Sequence, residues 1–251
     1  MLQARKQWFA AVLTSVSGYV DALCSIALYR VFVANMSGNS IDLGMAGVQG
    51  NLDVLLRRGF AVPMFVIGLI GSRVAIDAAT RRRVRWTAGV LFGTEAVLLT
   101  GFAVLGAGTM AGYRIHAGLV RYLALIALPS VAMGLQNATL THFGPLTIRT
   151  THVTGTLANL AEHLAQFILW FRARTRGRSR RRFWAAVRVS PRQKALRDAL
   201  LLFVVWLGYV AGAGFGAFGM LYWKLNAIAL PVGALLLMVI ADIRWPLIAP
   251  R

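Results

Sequence analysis

Six apolar runs recur along this chain: Trp8–Leu28, Phe60–Ile76, Trp86–Leu105, Leu119–Leu135, Ala199–Phe218 and Leu225–Ala241. Each reaches or approaches the roughly 20 residues that carry a helix across about 30 Å of hydrocarbon. Lipid supplies no hydrogen-bond partners, so a backbone crossing it must satisfy its own N–H and C=O groups, and single runs of this length do so only as helices. The expected fold is therefore all-α, a polytopic membrane helix bundle making one membrane domain of residues 1–251. The remaining composition agrees. The chain is 58% hydrophobic with a mean hydropathy of +0.65 and has eight acidic residues in 251, too few charges to cover a soluble domain of this length.

The net charge of +19 invites a nucleic-acid reading, but its distribution does not support one. Eleven of the 27 basic residues lie between Arg172 and Arg197, and five more between Arg73 and Arg85, directly flanking apolar runs. Such clusters mark cytoplasmic loops and attract anionic lipid, and no nucleic-acid-binding motif accompanies them. Arg5 and Lys6 before the first run imitate a signal peptide. That run is too long, contains Asp21 and lacks a small-residue cleavage site, so it reads as a retained span. Cys24 is the lone cysteine, which excludes an internal disulfide and suits a small apolar filler.

Two shorter stretches, Ser37–Leu56 and Val153–Phe171, leave the topology open. If both cross, giving eight spans, the basic residues divide 19 to 8 between the two sides. If neither crosses, giving six spans, they divide 21 to 6, which favours six. Both termini then face the cytoplasm, with residues 172–197 as a basic cytoplasmic loop. Phe183, Trp184 and Val187 in that loop could line a short interfacial helix, or the loop could be irregular.

Both stretches open on related polar motifs. Gly18-Tyr-Val-Asp21-Ala22 precedes Asn35-Met36-Ser37-Gly38-Asn39, and Gly134-Leu-Gln136-Asn137-Ala138 precedes Val153-Thr154-Gly155-Thr156. Gly18 and Gly134 are 116 positions apart, and Gly38 and Gly155 are 117 apart, so two halves, about 8–108 and 118–243, stay in step. With six spans the halves would be inverted repeats, and a polar site between repeats is a transporter pattern.

The candidate site residues follow from cost. Asp21 in mid-span costs about 2.5–3.5 kcal/mol if ionised, so it faces a cavity or a partner. Asn35, Ser37, Gly38 and Asn39 would form one lip of a substrate site, and Gln136, Asn137, Thr154, Gly155 and Thr156 the other. A hydroxyl cap beside a glycine opens a helix and frees N–H donors. The competing reading is ordinary capping at the membrane surface. Glu95 and Glu162 are charge-relay candidates. His142, His152 and His163 lack metal-ligand spacing, so no metal is expected. Nucleophile, phosphate-loop and dinucleotide motifs are absent, which argues against an enzyme and against a cofactor. Glycines at 208, 212 and 216, like those at 89 and 93, have the spacing of close helix packing.

Taken together, Gly18-Tyr-Val-Asp21-Ala22, Phe32-Val-Ala-Asn35-Met-Ser37-Gly38-Asn39, Gly134-Leu-Gln136-Asn137-Ala138 and Arg149-Thr-Thr-His-Val153-Thr154-Gly155-Thr156-Leu resemble the YoaK-like family of bacterial inner-membrane proteins, which carry a domain of unknown function. The resemblance covers nearly the whole chain. It implies a bacterial integral membrane protein of around six spans and lends no substrate or catalytic residue. Asp42 and the basic 172–197 loop depart from the family's pattern. The function expected from the residues is a small-solute transporter or channel in the bacterial inner membrane. The alternatives are a scaffold or sensor working through the basic loop and an intramembrane enzyme acting on lipid. Expected partners are the bilayer, anionic lipid at the basic loop, a small solute and further copies of the chain in a homo-oligomer, with no nucleic acid.

Overall fold

The computed structural model describes residues 2–140, 153–176 and 180–246. It is an all-α bundle. In chain order the helices are α1 (Leu2–Ala27), α2 (Met36–Gln49), α3 (Leu52–Arg81), α4 (Thr87–Ala107), α5 (Leu119–Leu140), α6 (Val153–Thr175), α7 (Arg180–Val189), α8 (Lys194–Trp223) and α9 (Ala229–Arg244). A two-residue β-hairpin, β1 (Met110–Ala111) with β2 (Arg114–Ile115), joins α4 to α5.

Among the described residues five segments are long and apolar enough to cross a membrane: 7–27, 52–81, 87–107, 119–139 and 194–244. The last holds 51 residues, more than twice the need, and it folds back on itself. Lys224 takes φ 52, a 3-10 turn covers Lys224–Ile228, and Gly219 comes to lie beside Ala227. From there α9 runs the length of α4, with Leu225 against Gly106 at one end and the Asp242 carboxylate on the Gly89 N–H, 2.7 Å, at the other. The helices that traverse the bundle are thus α1, α3, α4, α5, α8 and α9.

Their directions follow from paired contacts. Gln136 of α5 bonds the Leu13 carbonyl of α1, and Tyr122 of α5 bonds the Leu28 carbonyl, so α1 and α5 are antiparallel. Gly68 of α3 abuts Gly134 of α5, and Ser72 bonds Thr139, so α3 and α5 are parallel. Gly212 and Gly216 of α8 abut Ser15 and Tyr19 of α1, so these two are parallel as well. The start of α1, the Arg81–Arg85 connection and α7 therefore share one end of the bundle, here the basal end. Tyr29, the hairpin and Gly50 share the distal end.

The stretch expected at Ser37–Leu56 is not one helix. α2 stops at Gln49, Gly50 takes the left-handed φ of 67, and Asn51 caps α3 by accepting the Val54 N–H. At 14 residues α2 is about 21 Å long, short of the hydrocarbon thickness. It lies antiparallel to α3, with Asp42 paired to Arg58 and Leu43 on Gly59. Since α3 opposes α1, α2 points the same way as α1 and returns to the distal end without crossing. The second stretch forms α6, which packs on α8 and is not among the five crossing segments.

Large side chains fill the centre, with Leu13, Leu23, Phe92, Leu99, Phe102, Leu125, Ile126, Met133 and Met220 all buried. Many outward positions are equally apolar, for example Val97, Val104, Leu237 and Ile243. An apolar exterior around an apolar core is what a lipid solvent allows and water does not.

Candidate functional site

The site begins where α1 ends. Tyr29 and Arg30 have φ 55 and 65, and the Arg30 N–H closes on the Ser25 carbonyl, so the chain turns sharply back into the bundle. Two consecutive non-glycine residues in the left-handed region carry strain, and surrounding contacts must hold them. Tyr29 stands edge-on to His116 with its hydroxyl 2.9 Å from Nε2, and the Arg57 and Arg114 guanidiniums lie 5.4 and 4.8 Å from its ring centre.

The returning strand stops at the level of Asp21. That carboxylate is buried and its oxygens meet three donors. Oδ1 accepts the N–H groups of Val33 and Ala34, both at 2.8 Å, and Oδ2 accepts the Tyr209 hydroxyl at 3.2 Å. Asp21 lies within the continuous α1 and its acceptor capacity goes to fixing residues 33–34. No helix break occurs at Tyr19–Ala22. Asp21 is six residues before the end of α1, so α2 starts about 9 Å inside that end.

Asn39 and Asn35 complete the motif. Buried Asn39 holds the Phe32 peptide from both sides, accepting its N–H at 3.0 Å and donating to its carbonyl at 2.6 Å. Asn35 is the α2 cap, its Oδ1 accepting from the Gly38 N–H and the Ser37 hydroxyl. A Cβ on Gly38 would meet Asn35 and the Phe32 ring within 3.3 Å. Ser37 is exposed, while Asn35 and Gly38 are half-buried. Polar groups are thus accessible at a depth where neighbouring α1 is buried.

In the second half Gln136 is buried and ties α5 to α1 through Leu13, leaving its Oε1 without a hydrogen-bond partner among the described residues. Asn137 is buried with Oδ1 in the same condition. Asp21 and Asn137 do not share one shell. The antiparallel α1–α5 register sets Asn137 beside the Leu13 turn, eight residues or about 12 Å along α1 from Asp21. At the start of α6 Thr154 is exposed, Gly155 half-buried and Thr156 buried. His142 and His152 fall outside the described residues, as does the strand that would answer to residues 33–34. Glu162 sits on the exposed face of α6, bonded to Gln166 at 3.3 Å, away from Asp21.

Glu95 is the outlier. It is 1% exposed, and neither carboxylate oxygen has a hydrogen-bond partner among the described residues. Gly101 faces Leu128 and Gly106 faces Leu125, so α4 and α5 are antiparallel and Glu95 lies level with the turn Gly134–Gln136. Ser17 and Ser130 also have buried hydroxyls without partners. Sequence reasoning missed Tyr209 and Asp242. Tyr209 sits in an otherwise apolar run and Asp242 just past the end of one, and only a neighbour brought by tertiary packing gives each a task. No group of three potential metal ligands converges among the described residues.

The family model described as "Protein of unknown function (DUF1275)" matches residues 9–241. The "UPF0700 transmembrane protein YoaK" of Bacillus subtilis (strain 168) is 29% identical over 162 residues, covering 64% of this chain and 68% of that protein. No solved structure matches. The helical bundle and the matched transmembrane relative agree on a multi-pass membrane protein. Because the match extends from Phe9 to Ala241, through every traversing helix, the chain belongs to the DUF1275 family.

Proposed function

We propose that this protein is a small-solute transporter or channel, without catalytic residues, whose path lies between two inverted halves. The observation that carries this is the re-entrant start of α2, with exposed Ser37 and half-exposed Asn35 at the depth of buried Asp21. Exposed hydrogen-bonding groups at such depth are sustained by water or solute, not by lipid tails.

The pairing of helices supports the inverted halves. A Cβ on Gly18 of α1 would strike the Tyr209 carbonyl of α8, and a Cβ on Gly134 of α5 would strike the Phe65 carbonyl of α3. Gly212 meets Ser15 as Gly68 meets Val131. Adding 116 to the α1 position and subtracting 144 from the α8 position turns both of these α1–α8 contacts into the matching α3–α5 contacts. With α1 and α5 antiparallel, this is the relation expected of a two-fold axis in the membrane plane. Each half lends its first helix to the other, so the solute would meet α2 from one side and the α6 motif from the other. Glu95 and Gln136, level with each other between them, would contact it in passage. The basal end, holding Arg81–Arg85 and the arginines of α7, would face the cytoplasm of a bacterial inner membrane.

Flux in proteoliposomes, measured over broad labelled solute pools with and without a pH gradient, tests the proposal. We expect flux above protein-free vesicles that Ser37→Trp removes without loss of folded protein. Well-folded protein giving no flux for any pool would overturn it.

A further inference from the structure

α7 is ten residues long with Arg180, Arg181, Phe183, Trp184, Val187 and Arg188 exposed. It rests on the bundle through buried Ala186, and buried Ser190 follows. The opposite face forms an open groove of about 430 Å³ lined by Arg180, Arg181, Trp184, Ala185 and Arg188. Ala185 is its floor. Arg181 and Arg188 stand one turn before and after that alanine, so two guanidiniums flank a gap that a methyl group leaves free. Among the described residues no acidic side chain pairs with these arginines.

The depth of the groove is marked independently. Trp170 and Phe171 near the end of α6 continue into Phe183 and Trp184 of α7 through ring contacts, Phe171–Phe183 at 5.7 Å and Phe183–Trp184 at 5.8 Å. Arg174 lies over Trp170 at 5.2 Å. Aromatic rings with arginines among them settle where hydrocarbon gives way to headgroups. The groove belongs to the basal, arginine-rich end.

We propose that the α7 groove binds the phosphodiester headgroup of an anionic phospholipid in the basal leaflet. Arg181 and Arg188 hold the phosphate oxygens over Ala185, Arg180 adds charge, and Trp184 lies along the glycerol backbone. Paired guanidiniums match a phosphate geometrically, which zwitterionic lipid does not exploit because its own cation cancels the charge. α7 would then pin the α6–α8 connection to the membrane surface.

The test is native mass spectrometry of the full chain in detergent with dioctanoyl phosphatidylglycerol, dioctanoyl phosphatidylcholine and free glycerol phosphate. We expect retention of phosphatidylglycerol over phosphatidylcholine. Arg181→Ala with Arg188→Ala should lower it about twenty-five-fold, two factors of about five for two arginines at an anionic surface. Ala185→Glu should do the same by filling the floor with charge, while Arg82→Ala with Arg85→Ala should change retention less than twofold. All five substituted positions, Arg82, Arg85, Arg181, Ala185 and Arg188, lie on exposed surface, and a thermal melt checks that each variant folds. Equal retention of the two lipids, displacement by glycerol phosphate at matched concentration, or indifference to the α7 variants would each overturn the proposal.

Discussion

Gly68 and Gly134 face each other across the α3–α5 contact, and a Cβ on either would lie 3.0 Å from the Cα of the other. The helices meet there backbone to backbone, a closeness that small residues permit and that supplies much of the attraction between helices in lipid.

Gly134→Ala should therefore force the pair apart and cost about 1–3 kcal/mol, as overpacking does. Gly93→Ala, with nothing within 4 Å of its added Cβ, should be neutral or stabilise by up to about 1 kcal/mol. Thermal unfolding in detergent compares the two, and equal effects would show that the α3–α5 contact is looser than described.

Asp21 should behave as a structural acceptor. Asp21→Ala leaves the Val33 and Ala34 N–H groups buried without a partner, at about 1–3 kcal/mol each. Asp21→Asn keeps one acceptor oxygen and should cost less. Tyr209→Phe removes a single bond and should cost least, about 0.5–1.5 kcal/mol. The order Ala, Asn, Phe in denaturation midpoints is the readout, and a full-strength loss in Tyr209→Phe would contradict it.

The return of α2 fixes sidedness. An impermeant maleimide should label Asn51→Cys from the face opposite Arg82→Cys and Gln193→Cys. Had α2 and α6 both crossed, Asn51 and Gln193 would share a face and Arg82 would lie opposite. Buried Cys24 should stay unlabelled throughout.

Glu95 should trade stability for function. Replacing a buried carboxylate that has no hydrogen-bond partner among the described residues with Leu relieves a desolvation cost, so Glu95→Leu should stabilise by about 1–3 kcal/mol. Flux, if it uses Glu95, should fall at least tenfold in the same variant. Destabilisation instead would reveal a structural partner for the carboxylate.

The polar motifs were legible as positions but not as roles. Asn39 and Asp21 stood out because polar groups are costly among apolar neighbours. Yet Asn39 holds the Phe32 peptide and Asp21 holds residues 33–34, partners seven and twelve or thirteen positions away. Tyr209, 188 positions from Asp21, gave no comparable signal, since tyrosine is unremarkable in an apolar helix. Glu95 was visible as an acid in a span, but its lack of partners is a property of the packed bundle.

By itself the amino-acid order determined the class and the spans, because lipid demands long apolar helices and the cost is met residue by residue. The spacing of the motifs likewise marked two halves in step. Only tertiary structure decided that α2 turns back, that 194–244 folds at Lys224, and that α1 pairs with α8 while α5 pairs with α3. Those outcomes rest on which glycine meets which backbone, and such contacts join positions as far apart as Ser15 and Gly212 that no local pattern connects.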